Sequence, residues 1–422
     1  MRIVVNEKLL FRIDSDSYFK NNTFIAILIL IIIFLTETLL FSTNASPIFT
    51  MISRGGTVGL AYFMFIRYLA KYQGLTKRDL ITFIVIFSIF ISMVLAGRLF
   101  NGYSYITQIS CLMFALFFSY ECSQECFAEN YIKIMRIVAI ASLIGFVFGN
   151  IIASIDFIPT ITNTVGAVFK TLFITDIPIN TWAQRRNWGP FREPGVFQAY
   201  LNIALYFSLF FKNKYRVFDS ILFSVTALTT LSGAAFIPIV LIILAYLIAK
   251  DDEQIKKSKI VFGIVIILIS VLLSNYYNEM IYKVTGGFES NSFAHRYTSA
   301  VVSLKSFFGY PFFGAPPEIQ DAARSQMLYS LTGQSGGGTT NTYLSFFSYY
   351  GAFVGGFIVY MTWRFIRKHT KSGLATVLVF AAIIAMTSNE NLTSSLLICV
   401  LPFLMPEEER NKYVTNRRRL KQ

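Results

Sequence analysis

The chain has 422 residues, 55% hydrophobic and 14% charged, with a mean hydropathy of +0.56 and a formal net charge of +14. Soluble domains carry about 25% charged residues, so this composition excludes one and points to an all-α, polytopic membrane protein. The positive charge, which would suggest nucleic acid in a soluble chain, reads here as membrane topology, and no nucleic acid is expected as a partner; the lipid bilayer is.

Residues 1–22 mix Arg2, Lys8, Arg12 and Lys20 with Glu7, Asp14 and Asp16. The apolar run after them, 23–41, is too long for the core of a cleavable signal and is expected to stay as the first span. Eleven more apolar runs follow, near 55–69, 80–96, 103–120, 132–152, 194–211, 218–230, 233–249, 260–275, 342–363, 373–387 and 392–405. The longer runs suit helices that cross a bilayer, so residues 1–422 read as one integral membrane domain of about twelve spans.

An even number of spans puts both termini on one side. Of the 37 Lys and Arg, 27 fall in the segments sharing a side with the termini, leaving 10 for the other. Cytoplasmic loops carry the excess of basic residues, so both termini are expected inside, with Arg417, Arg418 and Arg419 as an anchor. Cys122 and Cys126 fall on an inner turn, where a disulfide is not expected. With His295 and His369 as the only histidines, nothing in the pattern resembles a metal site.

Two outer loops are long, 156–193 and 276–341, and loops of this length tend to carry function. The second holds Gly286-Gly287, Pro311, Gly314, Pro316-Pro317 and Gly336-Gly337-Gly338. Its stretch Phe293 to Phe308 has roughly helical spacing and predicts a helix lying over the membrane face. The three-glycine run reads as a flexible connection, because no strand precedes it to make a phosphate cradle.

The first loop ends as Arg185-Arg186-Asn187-Trp188-Gly189-Pro190-Phe191-Arg192-Glu193-Pro194-Gly195, at the start of an apolar span. Basic anchors belong inside, so arginines here ask for another reason, and an anionic lipid-linked substrate supplies one. A guanidinium fork matches phosphate oxygens, and the free N–H groups at the start of the next helix point to the same place. Arg185, Arg186, Arg192, Arg296 and Arg98, with Arg54, are the candidate ligands; the competing reading is solvation or pairing with Glu193, Glu289 or Glu318. Glu193 is either a general base or a helix cap ahead of Pro194. His295 is a second candidate base, whereas His369, among Arg367, Lys368 and Lys371, reads as solvated. Asn341 is a candidate polar ligand or the N-cap of the next span. Gly351, Gly355 and Gly356 are expected to let that span pack closely on a neighbour.

Three signatures together resemble the O-antigen polymerase and ligase superfamily, membrane glycosyltransferases of the GT-C class. The first is Arg186-x-x-Gly189-x-Phe191-x-Glu193-Pro194-Gly195, followed by Phe197 and Ala199-Tyr200-Leu201. The second is Arg296, then Ser303-Leu304-Lys305 and Tyr310-Pro311-Phe312-Phe313-Gly314. The third is Asn341-x-Tyr343-Leu344 with Gly351 beyond it. The resemblance covers roughly residues 180–365, and what it implies is a GT-C-like fold in a bacterial inner membrane with its site facing the periplasm. It implies an undecaprenyl-diphosphate-linked oligosaccharide as both donor and acceptor, no cofactor and no metal, and a polysaccharide chain-length regulator as a possible partner. On this reading Glu193 and His295 are the catalytic candidates, and Arg186, Arg296, Arg185, Arg192, Arg98, Asn341 and Tyr343 bind substrate.

Two positions depart from the family pattern. The turn Thr229-Thr230-Leu231-Ser232-Gly233 has Gly233 where the family often has arginine. Residue 340 is threonine where ligases usually have histidine, which favours polymerase over ligase. A twelve-span transporter or flippase of lipid-linked sugar is the remaining alternative. It predicts two similar halves and buried charges along a pathway, and no internal repeat is visible.

Overall fold

The structure, a computed structural model, describes residues 18–43, 46–72, 76–98, 102–164, 166–179, 186–249, 291–334, 338–370 and 372–419. The expected span near 260–275, Arg185, Gly286-Gly287 and Gly336-Gly337 lie outside the described residues. The chain is mostly helical. Helices α1 (Tyr18–Phe34), α2 (Pro47–Lys71), α3 (Lys77–Leu95), α4 (Tyr103–Glu121), α5 (Gln124–Val147) and the short α6 (Gly149–Ala153) come first. Three strands follow, β1 (Thr160–Thr162), β2 (Val168–Thr171) and β3 (Asp176–Pro178). Then come α7 (Pro194–Phe210), α8 (Arg216–Thr229), α9 (Gly233–Ala249), α10 (Asn291–Gly309), α11 (Pro317–Thr332), α12 (Thr342–Thr370), α13 (Gly373–Thr387), α14 (Leu396–Val400) and α15 (Glu407–Arg419).

Among the described residues, α2, α3, α5 and α12 are long and apolar enough to cross a membrane. Local chemistry sets the helix starts. Thr76 and Asp79 form a reciprocal capping box on α3, which satisfies two N–H groups the helix cannot. Ser123 caps α5 and Ser372 caps α13. Proline opens α2, α7 and α11, at positions where its missing N–H costs nothing.

All 17 residues of α7 are buried. A helix apolar on every side belongs inside a bundle, and α7 packs against α5, α8, α9 and α13. Gln198 Nε2 donates to the carbonyls of Gly195 and Met386 at 2.9 and 2.8 Å. The Tyr200 hydroxyl meets Ser395 Oγ at 3.1 Å.

Several expected elements change on folding. The span expected over 23–41 leaves the helix at Phe34, because the residues beyond it pair with the 186–193 segment. Thr38 bridges to Phe191, and Leu39 N donates to the Pro190 carbonyl at 3.0 Å. The run 55–69 extends to a 25-residue helix. The run 392–405 is not one helix: Ser395 caps the five-residue α14, and a single 3-10 turn, Leu401–Phe403, follows at Pro402.

The first long loop carries the strands, a local exception in an otherwise helical chain. It forms an antiparallel sheet in the order β1-β2-β3, with Thr160 opposite Lys170 and Phe169 opposite Pro178. Asn163 Oδ1 accepts from Ala167 N at 2.8 Å, and Gly166 takes φ +80°, closing the first hairpin. Phe169 and Trp188 pack edge to face at 4.9 Å between ring centres, with Leu39 and Ala167 beside them in a small core of their own.

The second long loop contributes two packed helices, α10 and α11, where the sequence predicts one. The expectation for Gly351 is also corrected. It sits at φ +81°, ψ −179°, and breaks α12 rather than closing a helix–helix contact. The turn after α10 fills the break: Ala352 N donates to the Pro311 carbonyl and Ala315 N to the Ser348 carbonyl, both at 2.7 Å. A Cβ on Gly351 would meet the Phe312 backbone. Gly355 faces Phe347 of its own helix, and Gly356 has open space around its Cβ position.

Candidate functional site

The connections after α1 and α13 and the segment before α7 converge on one arginine. Arg192 Nε donates to Glu37 at 2.8 Å, and its Nη2 to the Asn391 carbonyl at 3.2 Å. Glu193 and Glu390 each lie 3.7 Å from its guanidinium. Arg192 thus occupies the centre of three carboxyl groups, where any other cation would otherwise have to sit. Its charge is committed to holding the cluster together.

Glu390 is the residue that reading the sequence missed. Its turn, Ser388-Asn389-Glu390-Asn391, is pinned to the start of α12. Thr342 Oγ1 donates to the Glu390 carbonyl at 2.7 Å and accepts from Leu392 N at 3.0 Å. The Glu390 side chain lies against Gly195, in space that a Cβ there would occupy. Burial, then the neighbouring Glu193, holds the Glu390 carboxyl well above the usual carboxylate range. Glu193 is the other member of this pair, and its side chain is 51% exposed. Two like groups in contact cannot both ionise without a large penalty. The available sequence signal was a lone acid between two apolar runs with no basic residue near it.

Glu193 occupies the N-cap position of α7, but its side chain makes no capping hydrogen bond. The cap alternative for this carboxyl is therefore not what the geometry shows. It faces outward from the pair instead.

Arg296 stands on α10 beside Glu390. It is half-buried, and among the described residues no hydrogen-bond or ion-pair partner is seen for its guanidinium. Burial lowers its pKa, and the neighbouring Glu390 carboxyl opposes the shift. Two links hold α10 here: Thr340 N donates to Ser299 Oγ at 2.9 Å, and Thr342 ties the adjoining residues to the Glu390 turn. His295, next to Arg296, is half-buried and also has no hydrogen-bond partner among the described residues.

The other sequence candidates take different settings. Arg186 Nε donates to the Thr230 carbonyl at 3.0 Å, and Asn187 N to the Thr229 carbonyl at 3.0 Å. Together they satisfy carbonyls that the end of α8 leaves open, with a cation at the negative end of the helix dipole. Gly233 follows in the same turn, and the guanidinium that reaches it comes from Arg186. Arg98 pairs with Glu318 on α11. Asn341 Oδ1 accepts from Leu344 N at 3.1 Å, as an N-cap does. Tyr343 turns into the bundle, its hydroxyl 3.2 Å from Thr362 Oγ1. Arg54 lies within α2.

Chemically, the cluster offers a buried acid whose pKa is raised, an outward-facing carboxyl beside it, and a cation with no ion-pair partner among the described residues. That set can hold a proton and bind an anion within one site. No protein-family profile, curated protein or solved structure matches the chain.

Proposed function

We propose that this chain is a membrane glycosyltransferase that polymerises oligosaccharide repeats carried on undecaprenyl diphosphate, working at the periplasmic face of a bacterial inner membrane. The observation that carries the reading is Arg296 beside the Glu193–Glu390 pair at the mouth of the buried helix α7. Arg296 binds the donor's diphosphate and stabilises the charge that grows on it as the bond breaks. A hydroxyl of the acceptor repeat attacks the anomeric carbon. The bond from that carbon to the diphosphate oxygen breaks, and its electron pair leaves with the diphosphate. The hydroxyl proton passes to Glu193, the more exposed member of the pair, while Glu390 stays neutral and orients it. The departure of residue 340 from the ligase pattern favours polymerase within this class.

The test is a surface-polysaccharide gel from a host strain lacking the gene, complemented with wild type or Arg296→Ala. Wild type is expected to restore a ladder. Arg296→Ala, at normal protein level, is expected to leave lipid core with a single repeat, a loss of at least about a hundredfold in polymer from removal of one charge-stabilising group. A wild-type ladder from Arg296→Ala removes that residue from the site. Bare core in the deletion strain makes the protein a ligase instead.

A further inference from the structure

A second polar cleft lies apart from the carboxyl cluster. It has a volume of about 240 Å³ and is walled by the end of α5, by α6, by β3 and by Arg186-Asn187-Trp188. Small residues make it possible. A Cβ on Gly145 would come within 3.1 Å of Thr175 Oγ1, and one on Gly149 within 3.4 Å of Ile177. Asp176 sits in the wall. It is 5% exposed, and its Oδ1 has no hydrogen-bond partner among the described residues. Buried polar atoms are nearly always paired, and an exception in a cleft asks for a missing partner.

We propose that this cleft binds one sugar ring of the oligosaccharide, with Asp176 hydrogen-bonding a ring hydroxyl. The idea rests on the glycosyltransferase reading above, and adds a subsite to it. The volume is below the roughly 300–1,000 Å³ of sites for drug-sized ligands, so it suits a single ring rather than a chain. The walls combine an acid, Arg186 and the exposed amide of Asn150 with the aromatic side chains of Phe146 and Trp188. Of these aromatics, Trp188 is packed into the small core with Phe169, so Phe146, which is half-buried, supplies the apolar face a polyhydroxylated ring requires. Burial pushes the Asp176 carboxyl up to about 7. At neutral pH it is therefore poised to donate or to accept, as sugar hydroxyls also do. Arg186 is anchored by its bond to the Thr230 carbonyl, so this wall is fixed before any ligand arrives.

The probe is the repeat-length oligosaccharide released by mild acid from the host's own surface polysaccharide, without its lipid diphosphate. Binding is read by saturation-transfer NMR on the full chain in nanodiscs. Wild type is expected to bind. Asp176→Leu is expected to bind roughly tenfold more weakly, the cost of an unmet buried hydrogen bond. Asn150→Trp, which alters an exposed helical position and fills the cleft mouth, is expected to bind as poorly even where Asp176→Leu fails to fold. Wild-type binding by either folded variant overturns the proposal. So does displacement of the oligosaccharide by inorganic diphosphate, which would make the cleft an anion site. Arg296→Ala separates the two ideas. Oligosaccharide binding that needs Asp176, together with normal polymer from Arg296→Ala in cells, keeps the cleft and removes the polymerase reading. Normal binding by both cleft variants with no polymer from Arg296→Ala does the reverse.

Discussion

Gly195 shows how one missing methyl group positions the acid pair. It lies in the first turn of α7, with the Glu390 carboxyl in the space where a Cβ would project. Helix propensity alone favours Gly195→Ala by up to about 1 kcal/mol. Forcing an atom into an occupied site costs about 1–3 kcal/mol, and here it would also move a buried acid. The net expectation is destabilisation, with a lower thermal midpoint in detergent. Removing the obstacle should reverse it: adding Gly195→Ala to Glu390→Ala is expected to be neutral or stabilising. Equal losses in the two backgrounds would mean that the Gly195–Glu390 contact does not matter. The same pair marks what could be read from the chain. Glu193 was legible from its place before Pro194. Glu390 was not, because the carboxyl and guanidinium groups around it come from distant segments, and an isolated acid in a turn carries no local pattern.

The elements were legible where one period dominates. Runs of apolar residues located most helices, and helical spacing from Phe293 to Phe308 located α10. Elements built from short or mixed signals were not. The strands β1 to β3 have three or four residues each and are ordered by contacts with Trp188 and Leu39. The break in α12 depends on a turn from another segment. Gly351 lies in a backbone region open almost only to glycine, where any other residue costs about 1–3 kcal/mol, and its Cβ would also strike the Phe312 backbone. Gly351→Ala is therefore expected to expel the Tyr310–Gly314 turn and loosen α10, which carries Arg296. Limited proteolysis of membranes should show new cleavage near residues 310–315. Unchanged protection there would mean that the turn is held by other contacts.

Across the whole molecule, charged contacts sort into two groups. Glu37, Arg98, Arg192, Glu318 and Glu390 cluster around the connections that also carry the sheet and α10. Arg67 and Lys71 pair with Glu121, and Arg364 and Lys368 with Glu409, toward helix ends of the opposite set, while Arg136 within α5 pairs with Asp219 at the start of α8. Charges are costly in hydrocarbon, so on the proposed topology these two groups would mark the two faces of the membrane protein. On the proposed orientation, the excess of basic residues would put the second group in the cytoplasm. Exposed cysteines test that assignment. Phe173 is 66% exposed between β2 and β3, and Lys214 is exposed between α7 and α8. With the outer membrane permeabilised, a membrane-impermeant maleimide should label Phe173→Cys in intact cells. It should reach Lys214→Cys only after the inner membrane is opened. Three of the native cysteines are buried, so Cys126 alone needs replacement in the background. The opposite labelling would put the carboxyl cluster and Arg296 in the cytoplasm. A lipid-linked chain assembled at the outer face could not reach them there, and the proposed reaction would have to be abandoned whatever the Arg296 variant does.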